Sequence, residues 1–184
     1  GTPMICRILR WLATSGIDDT VLNLHHLPAT IAAVTGDGTS CGVRVRYSWE
    51  YPHVLGSAGG PRQALDILGV PRFFIVNGDT LTDLALAPLA EAHAATGALV
   101  TMAVIPNTQP HLYSGLRVDA SGAVLGVEPR GSAQPSFHFI GVQVAEAEAF
   151  AGVPRGAAAN SVGEVYDRLI AQRPGSVRVD RKST

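Results

Sequence analysis

Apolar residues Ile5, Ile8, Leu9 and Leu12 recur every three or four positions, the spacing of one helical face. Pro3 suits the first turn of that helix and Gly16 its stop. The run Thr20-Val21-Leu22-Asn23-Leu24 is β-branched and apolar, which predicts a short buried strand. Pro28 opens a second helical stretch to about residue 34, and Gly36-Asp37-Gly38 signals a turn. Val43, Val45 and Tyr47 then alternate with Arg44, Arg46 and Ser48, the period of a half-buried strand. Leu55-Gly56-Ser57-Ala58-Gly59-Gly60-Pro61 reads as a glycine-rich loop leading into a helix over about 62–69. Phe73-Phe74-Ile75-Val76, the most apolar strand of the chain, ends abruptly at Asn77-Gly78-Asp79.

Residues 84–96 predict an Ala- and Leu-rich helix stopped by Gly97, and 99–105 another buried strand. After Pro106 the pattern turns to strands, at about 115–118, 123–128 and 137–144. A helix over about 162–171 and a strand from Ser176 to Asp180 follow. The helix–strand alternation of the first hundred residues predicts an α/β fold, a Rossmann-like mixed, mostly parallel sheet with helices on both faces. With no repeat, low-complexity stretch or linker, residues 1–184 read as one domain. The order of elements is unusual, because the first strand of a doubly wound sheet is central, whereas this chain opens with a helix. The strands at 20–24 and 73–76 are therefore expected to lack the neighbour between them, each exposing a row of unpaired backbone groups.

Composition narrows the class. Apolar residues make up 46% of the chain, in the range of a soluble globular domain, while charged residues make up only 16%. That low charge suits a surface partly covered by further chain or by a partner. Net charge is -1 and the fourteen Lys and Arg are dispersed, so there is no basic stripe to neutralise nucleic-acid phosphates. Cys6 and Cys41 form neither a metal-ligand spacing nor a disulfide framework and fit a reducing compartment. No apolar run approaches the ~20 residues a membrane span needs, and no signal pattern opens the chain, so the expected location is cytoplasmic.

Two segments carry candidate chemistry. A carboxylate just past the carboxyl end of a buried strand sits where open α/β sheets bind ligands, and Asp79 occupies that place. Its hard oxygens suit Mg²⁺ that also touches substrate phosphates, while Gly78 allows close backbone approach. Asn-Gly-Asp is equally made of turn formers, and a plain turn accounts for it too. The glycines of 56–60 can offer backbone donors to a flat ring or an anion. They lack the Lys-Ser/Thr ending of a P-loop and the dinucleotide spacing, and a plain strand-to-helix connection also fits. His25 and His26 read as loop polar groups, Glu146 and Glu148 as a solvated helix face, and the Ala run at 157–159 as a loop or helix start.

In order along the chain, Tyr47-Ser48-Trp49-Glu50, Leu55-Gly56-Ser57-Ala58-Gly59-Gly60 and Phe73 through Asp79 resemble the sugar-nucleotidyltransferase family. The likeness is strongest to its mannose-1-phosphate guanylyltransferase and MurNAc-phosphate uridylyltransferase-like members. Pro3-Met4-Ile5, Val21 through Leu27, Tyr113-Ser114-Gly115, Val127-Glu128-Pro129 and Phe139-Ile140-Gly141-Val142 extend it over essentially the whole chain. The resemblance implies the nucleotide-diphospho-sugar transferase fold. It also implies transfer of a nucleoside monophosphate from a nucleoside triphosphate, GTP or UTP, to a sugar-1-phosphate, with release of pyrophosphate. Gly56, Ser57, Gly59 and Gly60 would bind the nucleotide, the first two contacting the base mainly through backbone. Asn77, Gly115 and Glu128 would line the sugar-phosphate pocket, and Asp79 would hold Mg²⁺ as the catalytic residue.

The departures are as informative. The family's strand and Gly-x-Gly-Thr-Arg loop would lie just before Pro3, and its Asp-x-Gly-Thr segment close to Lys182-Ser183-Thr184. Neither is in this sequence, which opens on Gly1-Thr2-Pro3. The Glu-Lys-Pro motif reads Glu128-Pro129, without its Lys. Losing one well-placed charge stabiliser costs ~10²–10³ in rate, so the 184 residues alone are expected to be inactive or very weak. The alternative reading is a degenerate, non-catalytic nucleotide- or sugar-phosphate-binding module.

Overall fold

The computed structural model describes residues 1–181; Lys182-Ser183-Thr184, where the resemblance breaks off, lie outside the described residues. The chain runs α1 (Met4–Thr14), β1 (Asp19–Leu24), α2 (Pro28–Thr35), β2 (Arg44–Trp49), α3 (Gly56–Leu68), β3 (Arg72–Val76) and α4 (Leu86–Thr96). It continues through β4 (Val100–Pro106), β5 (Gly115–Val118), β6 (Val124–Glu128), β7 (Phe137–Glu146), α5 (Tyr166–Gln172) and β8 (Val177–Arg181). α1 buries the predicted stripe, Ile8, Leu9 and Leu12, and stops at Gly16, whose φ of 83° suits a residue without Cβ.

The α/β class holds, and the strands form two sheets. β1 and β2 pair in parallel as a sheet of two. The other six form a mixed sheet ordered β6-β5-β7-β4-β8, with β3 pairing β7 beside β5. β4 and β8 are parallel, whereas β7 runs antiparallel to β3, β4 and β5. Antiparallel pairing is therefore more prominent than helix–strand alternation suggests, because one long strand serves three neighbours. β7 manages this with a bulge around Gly141: Met102 pairs Gln143 but Val104 pairs Phe139. Gly141 has φ 80°, and a Cβ there would meet Thr80 Oγ1 at 2.5 Å and Asn77 Cβ at 3.1 Å.

Two apolar clusters cover the two faces. One gathers Phe150, Tyr166, Val100, Met102 and Val104 with Ala58 and Leu65 of α3; the other gathers Leu9, Leu12, Leu89, Ala103, Val142 and Val144. Val104 and Ala103 point to opposite clusters, as the strand period requires. Burial pushes the Tyr166 hydroxyl well above its ordinary pKa, and it donates to Gln143 Oε1 at 2.9 Å. Cys6 and Cys41 are both free and buried.

Between β1 and β3 the sheet is open. Asp18 O accepts from Arg44 N–H and Leu24 O from Glu50 N–H, so the even-numbered residues of β1 face β2. Asp19, Val21 and Asn23 therefore turn their N–H and C=O the other way. On β3, Pro71 O accepts from Ala147 N–H and Asn77 N–H donates to Gly141 O. By the same period Arg72, Phe74 and Val76 face away from β7. No described strand pairs with either free edge. A slot of about 1180 Å³ lies between them, with Ile8, Leu9 and Leu12 of α1 and Pro61, Ala64 and Leu68 of α3 among its walls. The expected gap in the sheet is present.

Glu146 corrects a reading. It is the last residue of β7, not part of a solvated helix face. Its carboxylate accepts from Arg72 at 2.6 Å and lies 3.1 Å from Nε2 of His93, which is buried on α4 and bonded through Nδ1 to Thr101 at 2.8 Å. Burial raises the Glu146 pKa, but Arg72 and His93 outweigh it and leave the carboxyl below its ordinary range.

Candidate active site

The glycines expected to form a loop instead form the opening turns of α3, six residues earlier than the pattern predicts. A second segment holds them there: Ala58 N–H and Gly59 N–H donate to Ala159 O, and Ala159 N–H donates to Leu55 O. These bonds, supplied from far along the chain, outweigh the poor helix propensity of glycine. A Cβ at Gly59 would run into Ala157 O, and one at Gly60 into the Asn23 amide and, at 2.6 Å, Glu50 Oε1. Close packing thus explains both glycines. Ser57 Oγ accepts from Ser161 N–H at 2.8 Å and lies 3.0 Å from Ser161 Oγ, which leaves the backbone of Gly56 and Ser57 as the groups to offer a ligand.

The residue that sequence reasoning left without a role is Glu50. It is 5% exposed. Oε1 accepts from Asn23 Nδ2 at 2.5 Å and Oε2 from Leu55 N–H at 2.6 Å, joining the end of β1 to the start of α3. His25 Nδ1 bonds the Glu50 carbonyl at 3.1 Å, which makes it the loop polar group expected. An acid directly after a strand and ahead of a glycine-rich stretch was visible in the sequence. Its partners were not.

Asp79 follows β3 on an exposed turn and has no hydrogen bond or ion pair among the described residues. With Gly78 it borders the slot, whose walls also include Asn23, Leu24, His25 and His26 at the end of β1 and Pro61 of α3. Asp79 and α3 thus border one cavity, but Gly56 to Gly60 are not among the residues that line it. Asn77 is anchored by its N–H to Gly141 O and exposes its side chain beside it.

Gly115 and Glu128 are directly paired across the β5–β6 hairpin. Glu128 is buried, accepts from Ser132 Oγ at 3.0 Å and pairs with Arg117 at 3.4 Å. A Cβ at Gly115 would strike Ser136 Oγ. The structure brings these two together as expected, but neither is among the residues lining the slot. A smaller cavity of about 480 Å³, lined by Thr80 to Asp83, Ile105 and Ile140, begins next to Asp79.

Among the described residues no group of three or more His, Cys, Asp or Glu could hold a metal ion. A single unpartnered carboxylate suits a cation that keeps its waters and takes its remaining oxygens from phosphates, the habit of Mg²⁺. Asp79 fits that role only in company with a substrate.

The family model described as nucleotidyl transferase matches residues 1–140. The chain is 27% identical over 172 residues to the mannose-1-phosphate guanylyltransferase of Mycobacterium tuberculosis, covering 93% of this chain and 48% of that protein. It is 31% identical over 163 residues to the N-acetylmuramate alpha-1-phosphate uridylyltransferase of Neisseria meningitidis, covering 86% and 68%. HddC from Yersinia pseudotuberculosis superposes with a TM-score of 0.83 at 16% identity, over 98% of this chain and 77% of that one, a likeness of fold. The chain spans about half the length of the mycobacterial relative.

Proposed function

Because the chain belongs to the nucleotidyl transferase family, we propose that it frames the site of an enzyme moving a nucleoside monophosphate from GTP or UTP to a sugar-1-phosphate, with release of pyrophosphate. The observation that carries this reading is the unpartnered Asp79 carboxylate at the end of β3, bordering a cavity that Asn23 to His26 at the end of β1 and Pro61 of α3 also line. One relative named above is a guanylyltransferase of mannose-1-phosphate and the other a uridylyltransferase of N-acetylmuramate 1-phosphate, so two pairs stand as candidates, guanine with mannose or uracil with an amino sugar.

In this reading the sugar-phosphate oxygen attacks the α-phosphorus in line with the departing pyrophosphate, and catalysis consists of positioning and charge neutralisation. The backbone of Gly56 and Ser57 meets the base, while the tightly packed Gly59 and Gly60 shape the turn that presents it. Asn77 orients the sugar phosphate, and Glu128, beside Gly115, accepts from a sugar hydroxyl. Asp79 would hold Mg²⁺, which would supply neutralisation of the charge that builds on the phosphates. The proposed location is the cytoplasm; no helix among the described residues is long and apolar enough to cross a membrane.

The test is pyrophosphate release by the longest encoded form of the protein, given GTP or UTP and a sugar-1-phosphate. Asp79→Asn lowers the rate ~10²–10³-fold with an unchanged circular dichroism spectrum. An unimpaired variant removes Asp79 from the mechanism. The second reading, a binding module, is favoured by Glu128-Pro129 standing without a Lys; it predicts nucleotide binding with no pyrophosphate release from the unaltered protein.

A further inference from the structure

The first four N–H groups of a helix lack intrahelical acceptors, and at the start of α3 they divide into two pairs. Ala58 and Gly59, the third and fourth, donate to Ala159 O at 2.9 and 3.2 Å. Gly56 and Ser57, the first two, find no acceptor among the described residues, and Ser57 is exposed. The residue ahead of them, Leu55, has no side chain able to cap a helix. Its N–H goes instead to Glu50 Oε2 at 2.6 Å. Two distant groups thus hold the N–H groups on either side of Gly56 and Ser57 and leave that pair bare. Tyr51 to Val54, which link Glu50 to Leu55, lie exposed and make no hydrogen bond among the described residues. The Glu50 carboxylate is buried, and its other oxygen accepts from Asn23 Nδ2 at 2.5 Å. A buried acid is unfavourable unless hydrogen bonds hold it, so these two donors fix where it stands. A carboxylate at a helix start also answers the positive end of the dipole. Gly56 and Ser57 are therefore left for a neutral acceptor rather than an anion.

We propose that Glu50 is a positioning residue for nucleotide binding. Through Leu55 it sets the angle at which Gly56 and Ser57 present their N–H groups to a neutral acceptor on the base. The proposal rests on the reading that this backbone meets the base. It adds that the geometry of base recognition is imposed from the end of β1, by Asn23 through Glu50, and not by α3 itself. A displaced Leu55 tilts both N–H groups without removing either. The loss then falls on nucleotide binding and not on the chemical step.

The experiment uses the longest encoded form of the protein, unaltered, as Glu50→Gln, and as Asn23→Asp combined with Glu50→Gln. Glu50→Gln keeps one acceptor but turns an N–H group toward a donor, whichever way the amide lies. In the double variant the new amide donates to the new carboxylate and still accepts from Leu55 N–H, which rebuilds the clamp with its charge moved to position 23. Titration calorimetry with GTP and UTP reads affinity, pyrophosphate release reads kcat at saturating nucleotide, and hydrogen exchange reads the Leu55 amide. Glu50→Gln weakens binding of whichever nucleotide the unaltered protein takes by about 10–100-fold, the worth of one hydrogen bond to a charged group. Its kcat stays within about threefold. The Leu55 amide exchanges faster while the β4 amides of Val100 to Val104 do not, and the double variant restores affinity and Leu55 protection together. Unchanged affinity in Glu50→Gln, a fall in kcat as large as the fall in affinity, or a double variant that does not regain affinity overturns the proposal. So does loss of the fold in Glu50→Gln, seen as fast exchange of Val100 to Val104, which makes the carboxylate structural alone. Where no pyrophosphate is released, affinity and its rescue decide. An unaltered protein that binds neither nucleotide overturns the reading of the site and this proposal with it; binding that Glu50→Gln leaves intact overturns this proposal alone.

Discussion

β1 and β4 are strands of similar length in the same molecule, yet they differ in company. β4 lies between β7 and β8, and Val100, Ala103 and Val104 are fully buried. β1 has one partner, and none of its first five residues is buried. The two-stranded sheet depends on what surrounds it: the stripe of α1, the Asn23–Glu50–Leu55 clamp, and Asp19, which pairs with Arg44 at 2.7 Å and Arg46 at 2.8 Å. The larger sheet depends on its own ladder and two apolar clusters. The candidate site straddles the boundary, with the glycine turns of α3 tied to the smaller sheet and Asp79 to the larger. Site geometry in this fold is therefore as firm as the junction between the sheets.

The largest expected difference between the sheets is in amide protection. The β4 amides of Val100 to Val104 exchange only through global opening, a cost of about 5–15 kcal/mol for a domain of this kind. The slot-facing amides of Val21 and Phe74 exchange through openings costing close to zero. Equal protection, read by mass spectrometry or NMR, would erase the distinction. A smaller effect separates two glycines. Gly60→Ala drives a methyl group into Asn23 and Glu50 and costs ~1–3 kcal/mol in denaturant unfolding. Gly78→Ala at the edge of the larger sheet meets nothing within 4 Å and stays within about 0.5 kcal/mol.

The smallest effect is in the acid response, which differs in sign. Hydrogen bonding from Arg44 holds the Asp19 pKa below its ordinary value, despite some burial. Its contribution is complete above the unfolded value of about 3.9 and is lost as pH falls through the lower folded value. Burial alone raises Asp180 on β8. There the folded state takes up a proton at higher pH than the unfolded one, so stability grows as pH falls from neutrality through that raised value. Asp180→Asn should flatten the gain and Asp19→Asn the later loss in unfolding free energy measured against pH. A single slope in both variants contradicts the assignment.

Periodicity located every helix and strand of the first hundred residues, and the helix-first order even disclosed the open position in the sheet. It failed where distant partners decide. Gly56 to Gly60 read as a loop because glycine disfavours helix; the Ala159 carbonyl and the Glu50 carboxylate, both outside that segment, override the preference. Glu146 read as solvated because acids usually are, and only the pairing of β3 with β7 brings Arg72 beside it. The sequence pattern placed Asp79 at a strand end correctly; Gly115 and Glu128, which only the family resemblance linked, stand paired across the β5–β6 hairpin. The clamp made by Glu50 was hidden because a buried acid without a cation leaves no periodic trace.

Gly141 shows how little slack such an arrangement has. It lets β7 bend far enough to be shared by β3, β4 and β5, and the same backbone atom group receives the N–H of Asn77. Any side chain at position 141 would shove Asn77 and Thr80 outward together, and Asp79 lies between those two residues in the chain. The kink that shapes the sheet is also the peg from which the acidic turn hangs, so a drift at this one position would misplace the carboxylate without touching it.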